Sequence, residues 1–388
     1  MSNSSTLDQK RRSLLLATAL SPLTALAQTS SSASTALAAA RQPVLLPRPD
    51  AHKLRIAFGS CARQTKPQPI WAEIRAAKPD LFLFLGDNFY ADTHSEAVLR
   101  RRYAEFRNVK ALQQFRQQTP HLAIWDDHDF GDDDAGGDYE LKNLNQQLFC
   151  DEWAEPADSP RRTRQGIYAD YRVNVGGRSV QILMLDLRFN RTPLRADPAQ
   201  QQGYAAMVKQ AKDSGEPMTG WYLPNPDPQA RLLGEEQWAW LAQRLAEPAD
   251  LRLIGSSVQF AADGTGWEGW ANFPLERERL VQLIKTQHVN GVVFLSGDMP
   301  YGELSSWPVD GGYPLWDITS SGLTEVWDIP TPNRQRASVV VAAETNFGLL
   351  DIDYAAPGGS LTLSILNGAG QLRLSKTLAL EQLQFKPV

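Results

Sequence analysis

The chain has 388 residues, 42% of them hydrophobic and 21% charged, and a formal net charge of −5 at pH 7. That is the composition of a globular protein large enough to bury a sizeable core, as one large domain or two ordinary ones. The acidic balance excludes the basic footprint of a general nucleic-acid binder, and no nucleic-acid-binding module is expected. It leaves room for a small phosphate-bearing substrate steered by local cations.

Residues 1–27 read as an export signal peptide. Lys10-Arg11-Arg12 precedes an apolar run that ends in the cleavage pattern Ala25-Leu26-Ala27. The adjacent arginines resemble a twin-arginine signal, with Leu14 where an aromatic residue is common. This implies the twin-arginine export machinery and a periplasmic or secreted mature protein; an ordinary secretory signal or a short anchor is the alternative. Ser21-Pro22 interrupts the run, which is short for a membrane span, and no later segment is apolar for long enough. Residues 28–52, rich in Ser, Thr and Ala and then carrying Pro43, Pro47 and Pro49, read as a linker and extended arm.

From Leu54 the chain alternates short apolar runs with amphipathic ones. Leu54–Phe58 leads into Gly59-Ser60-Cys61, and Leu81–Leu85 into Gly86-Asp87. Leu122–Trp125 leads into Asp126-Asp127-His128-Asp129, and Ile182–Leu185 into Asp186 and Arg188. Val292–Leu295 leads into Ser296-Gly297-Asp298. Continuous apolar runs of this length predict strands buried on both faces. Trp71, Ile74 and Ala77, and later Trp238, Leu241 and Leu245, predict helices between them. The tail alternates apolar and polar residues over Gly348–Tyr354, Ser360–Leu366 and Leu372–Leu380, which predicts antiparallel strands that extend or complete a second sheet.

Strand–helix alternation predicts an α/β fold whose ligands sit beyond the carboxyl ends of the strands. One acidic residue after a strand is ordinary turn chemistry. Carboxylates after most of the strands repel one another unless cations neutralise them, and this is the main argument for a metal centre. With only five histidines in the chain, and only His128 at a strand end, a His-rich dizinc site is not expected. Carboxylates suit hard cations such as Ca²⁺ or Mg²⁺, and a thiolate with a phenolate suits Fe³⁺.

The motifs Gly59-Ser60-Cys61, Gly86-Asp87-Asn88-Phe89-Tyr90, Trp125-Asp126-Asp127-His128-Asp129, Leu185-Asp186-Leu187-Arg188 and Ser296-Gly297-Asp298 together resemble the PhoD-like alkaline phosphatase/phosphodiesterase family. That family is related to the calcineurin-like metallophosphoesterases. The resemblance runs from about residue 54 to 350, with the motifs in the family's order. It implies one domain over residues 53–388, an α/β two-sheet sandwich flanked by helices with C-terminal antiparallel strands. It also implies Fe³⁺ and Ca²⁺ cofactors and hydrolysis of phosphate mono- or diesters by a hydroxide from the metal centre. By position, Asp87 would bridge the metals, Cys61 and Tyr90 would hold the ferric ion with Asp298 nearby, and Asp127 would bind the second cation. His128, oriented by Asp129, would bind substrate or protonate the leaving group. Arg188, and Arg191 with it, would neutralise phosphate oxygens.

Other readings stay open at several positions. Cys61 could be a packed thiol or half of a disulfide with Cys150; Tyr90 could simply pack; Asp126 could orient its neighbours; Arg188 could pair with a carboxylate at the core edge. Asp132, Asp133, Asp134 and Asp138 read mostly as a solvated loop. The chain departs from the family where Pro300 stands in place of a histidine two residues after the last Gly-Asp. Proline offers neither lone pair nor side-chain donor. This supports an alternative function, a weakened or inactive relative that binds metal or phosphate. A third reading, a surface-binding protein, comes from Trp267, Trp270, Trp307, Trp316 and Trp327, which could form an aromatic rim.

Overall fold

The computed structural model describes residues 51–386. The export signal, and all of the linker before Ala51, lie outside the described residues. The strands are β1 (Lys53–Gly59), β2 (Leu81–Leu85), β3 (His121–Ile124), β4 (Ala169–Val175), β5 (Arg178–Met184), β6 (Arg195–Ala196) and β7 (Tyr222–Leu223), followed by β8 (Leu251–Ser256), β9 (Val292–Ser296), β10 (Gly302–Trp307), β11 (Leu315–Ser320), β12 (Asn346–Asp353), β13 (Ser360–Asn367) and β14 (Leu372–Ala379).

Two six-stranded sheets result. One runs β14-β13-β12-β1-β2-β3, the other β10-β11-β9-β8-β5-β4. The centre of each is parallel: β1, β2 and β3 in the first, β5, β8, β9 and β11 in the second. Antiparallel strands flank these: β12, β13 and β14 on one side of the first sheet, and β4 and β10 at the two edges of the second, while β3 is a parallel edge. Both sheets feed one apolar core. β2 (LFLFL) and β9 (VVFLS) are buried at every position, the reason their sequences are runs and not alternations.

Helices cover the sheets where the periodicity placed them. Helix Ile70–Ala76 buries Ile70, Trp71 and Ile74, with the Trp71 ring against Phe82, Phe84 and Phe115. Helix Glu235–Ala246 buries Trp238, Leu241 and Leu245. The tail strands form as expected but join the sheet of β1–β3. β12 takes the free edge of β1 in antiparallel register, from Lys53 opposite Asp353 to Phe58 opposite Gly348. Among the described residues no helix is long and apolar enough to cross a membrane.

His121 opens β3 packed edge-on to Phe84 and Trp153. Burial drives its pKa down to about 4, although the Thr119 carbonyl opposes the shift. The fold therefore holds this ring neutral. Its contribution is complete above the unfolded-state pKa of 6.5 and is lost as pH falls toward 4. The loss amounts to about 3 kcal/mol at 1.36 kcal/mol per pKa unit. Urea unfolding of wild type and His121→Gln between pH 7 and 4 should show a shallower acid loss in the variant; parallel curves would contradict this.

Candidate metal centre

The parallel strands of both sheets deliver their carboxyl ends to one place. Cys61 follows β1, Asp87 follows β2, Asp126–Asp129 follow β3, Arg188 follows β5 and Asp298 follows β9. The turns there are tight. Cys61, Asp87 and Asp298 all take left-handed backbone, with φ of 59°, 49° and 65°. Aspartate tolerates this conformation, whereas Cys61 pays roughly 1–2 kcal/mol for it. Gly86 is required: its φ is +99°, and a Cβ would lie 2.4 Å from Asp126 Cβ and 2.6 Å from its amide nitrogen.

Asp129 ties two of these turns together. Its carboxylate accepts hydrogen bonds from the backbone N–H groups of Asp126 (2.7 Å), Asn88 (3.0 Å) and Asp87 (3.2 Å), and from Asn88 Nδ2 (2.6 Å). The expectation that Asp129 orients His128 is therefore corrected. Adjacent residues of one helical turn do not face each other, and Asp92 fills that role, 2.6 Å from His128 Nδ1.

Around Asp87 the structure gathers the expected donors. Cys61 Sγ is 3.2 Å from Asp87 Oδ2 and 3.0 Å from Ser321 Oγ, and it also donates to the Asp298 carbonyl at 3.2 Å. Tyr90 Oη lies 3.5 Å from the same Asp87 oxygen. Both cysteines are free, so no Cys61–Cys150 disulfide forms; Cys150 points at the Arg161 carbonyl. Burial, reinforced by Asp87, pushes the Cys61 thiol up, and burial does the same to the Tyr90 phenol.

Three sets of donor atoms lie within 4.8 Å of one another: Asp87, Asp127 and His128; Asp126, Asp127 and Asp298; Asp127, Asp133 and Asp134. Asp127 is common to all three. Asp87 Oδ1, Asp126 Oδ2 and Asp127 Oδ1 are enclosed without a hydrogen-bond partner. A buried carboxylate oxygen left bare is costly. Three on one sheet edge fit a cation, so the residues present suit a metal centre. Burial raises Asp87 and Asp298 well above the usual carboxylate range, with neighbouring aspartates adding to it. Burial lifts Asp126 to about 7 against the pull of Arg188.

Arg188 does not reach the cavity. It is fully buried, with Nε 2.7 Å and Nη2 2.6 Å from Asp126 Oδ1, and Nη1 2.7 Å from Glu268 Oε2. Arg191 Nε lies 3.0 Å from Glu268 Oε1. The expected neutralisation of phosphate oxygens is thus replaced by a core-edge pairing, which sets the carboxylates in place. His128 faces the cavity, its ring 4.2 Å from that of Tyr90. Burial disfavours its charge, but Asp127, Asp87 and Asp92 outweigh that and push its pKa to about 12.

The cavity encloses about 180 Å³. Carboxylates and indoles both line it. Its wall includes Glu268, Asp133 and Asp134, which sequence reasoning missed or assigned to a solvated loop, and Pro300. Asp138 is solvated as expected. Of the five tryptophans expected as a rim, Trp267 and Trp327 line the cavity, joined by Trp221. Trp270 is buried, while Trp307 and Trp316 sit against Arg277 and Lys376.

The family model of PhoD-like phosphatases matches residues 56–327, the stretch that supplies every side chain lining the cavity. The chain belongs to the PhoD-like phosphatase family. Alkaline phosphatase D of Bacillus subtilis (strain 168) is 24% identical over 307 residues, 68% of this chain and 49% of that protein. The chain therefore spans about half the length of that curated relative. Among solved structures, one titled Structure of PhoD superposes with a TM-score of 0.64 at 17% identity, over 88% of this chain and 72% of the other. A purple acid phosphatase from yellow lupin (Lupinus luteus) seeds gives 0.53 at 12% identity, over 86% of this chain and 55% of its own. These likenesses support the two-sheet α/β fold. At the position where PhoD-like relatives were expected to carry histidine, the Pro300 carbonyl accepts the Trp327 N–H at 2.9 Å.

Proposed function

We propose that the chain is an exported, metal-dependent phosphoesterase of the alkaline phosphatase D type, acting on phosphodiesters, phosphomonoesters or both. The observation that carries this reading is the trio of bare, buried oxygens on Asp87, Asp126 and Asp127, set among family motifs at the shared edge of two sheets. Cys61 and Tyr90 beside Asp87 would supply the thiolate and phenolate that Fe³⁺ favours. Asp127, with Asp126 and Asp298, would supply the oxygen donors that suit Ca²⁺. Bound cations would offset the carboxylate charge, screen the phosphate oxygens and lower the pKa of an attacking water.

The chain's own residues do the rest. Asp92 holds His128 through Nδ1 and leaves Nε2 to protonate the leaving oxygen. Arg188 and Arg191 act at one remove, by fixing Asp126 and Glu268. Asp92→Asn should then lower turnover by about tenfold, since positioned acids contribute about 10²–10⁴-fold and the imidazole itself remains. The loss should be larger for alkyl esters than for p-nitrophenyl esters, whose leaving group needs no proton. Equal losses on both would argue against His128 as the acid. Export through the twin-arginine machinery to the periplasm or medium belongs to this proposal and rests on residues 1–27.

The test is hydrolysis of p-nitrophenyl phosphate and bis-p-nitrophenyl phosphate by the mature protein loaded with iron and calcium. Turnover supports the reading and ranks the ester classes. The second reading, a weakened relative that binds without hydrolysing, is carried by Pro300. No turnover at full metal occupancy, with recovery in Pro300→His, would favour it.

A further inference from the structure

Part of the cavity wall has no use for a bare phosphate. Trp221, Trp267 and Trp327 line the cavity together with the carboxylates. Trp267 sits between the other two, with ring centroids 4.8 Å from each and interplanar angles of 67° and 66°. The indole N–H groups of two of them are tied to the backbone. Trp267 Nε1 donates to the Met218 carbonyl (2.9 Å), and Trp221 Nε1 to the Gln202 carbonyl (2.8 Å). Trp327 is pinned through its main chain, its N–H on the Pro300 carbonyl and its own carbonyl accepting from Ala343. Trp221 and Trp327 remain partly exposed.

This wall has its own support. Met207, Met218, Met299, Tyr301 and Ile329 form a second apolar cluster, separate from the main core, and Trp267 belongs to it. Part of that cluster comes from helix Tyr204–Ser214, inserted between β6 and β7. A phosphate anion gains nothing from indole surface. A flat ring attached to the phosphate would gain both burial and the face-and-edge contacts that aromatic rings prefer.

We infer that the indole wall of Trp221, Trp267 and Trp327 binds a planar aromatic group carried by the phosphate ester, and so sets the substrate class of the site. This rests on the phosphoesterase reading for its chemistry but not for its test. Phosphonates cannot be hydrolysed at the P–C bond, so binding is read without turnover. Calorimetric titration of the metal-loaded protein should find phenylphosphonate at least about tenfold tighter than methylphosphonate, and about threefold tighter than cyclohexylphosphonate, which has similar size but no π-face. In Trp327→Leu the phenyl-to-methyl ratio should fall to about threefold or less. Trp221→Leu, at the other end of the wall, serves as the second variant should the first fail to fold.

Equal affinity for phenyl and methyl, cyclohexyl binding as tightly as phenyl, an unchanged ratio in both variants, or no binding of any of the three would each overturn the inference. Aryl preference without hydrolysis of bis-p-nitrophenyl phosphate would sink the enzyme reading alone. Hydrolysis without aryl preference would sink this inference alone.

Discussion

Asp87→Asn should abolish phosphate-ester hydrolysis, by at least about a thousandfold, while the protein stays folded. The magnitude is that of losing a charge the reaction centre is built around. Asp87 Oδ2 is the atom on which Cys61 and Tyr90 converge, and Oδ1 is bare. Asparagine keeps the shape and tolerates the left-handed backbone at φ 49°. It removes a charge that burial and neighbouring aspartates already disfavour. Without metal, the variant should therefore melt no lower than wild type, and the metal-induced rise in melting temperature should shrink. An enzyme that keeps its rate, or a variant that unfolds, would contradict this assignment. The pairing of lost function with retained stability separates an active-site group from a structural one.

Arg188→Met should do the reverse, destabilising first and inactivating as a consequence. The guanidinium is the buried counter-charge to Asp126 and Glu268, both enclosed. Removing one partner of such a network leaves uncompensated buried charge, at a cost of about 3–5 kcal/mol. Arg188→Lys keeps the charge but loses the fork that spans both carboxylates, so it should be intermediate. Adding Glu268→Gln to Arg188→Met should recover part of the loss, because one of the two carboxylates left without Arg188 is then neutral. Urea unfolding of the single and double variants gives the coupling directly. A cost under about 1 kcal/mol for Arg188→Met would place the guanidinium outside the network.

Much of this site could be read along the chain because the fold places it simply. Parallel strands put the residue after each apolar run on one edge, so Cys61, Asp87, Asp126–Asp129 and Asp298 could be gathered from local pattern alone. The edge strands were harder. β4 has mixed burial, β10 loses burial toward its end, and the tail strands gave no sign of which sheet they would join. What local pattern cannot carry is pairing across the fold. Glu268 lies in a glycine-rich loop beyond β8 and gains meaning only from Arg188, 80 residues away. Asp92 reaches His128 across 36 residues. Arg188 followed a strand like the others, but its length let it fold back under the carboxylates.

If the carboxylate edge is a metal centre that hydrolyses phosphate esters, metal occupancy must control both activity and stability. The most direct test strips the mature protein with a chelator, then returns calcium and iron while following bis-p-nitrophenyl phosphate hydrolysis and thermal unfolding on one sample. Stripping should remove activity, and activity and melting temperature should rise together at the same metal concentrations, as binding to the folded state alone requires. Full activity in the stripped protein, or metal binding that raises stability with no hydrolysis of either ester, would contradict it.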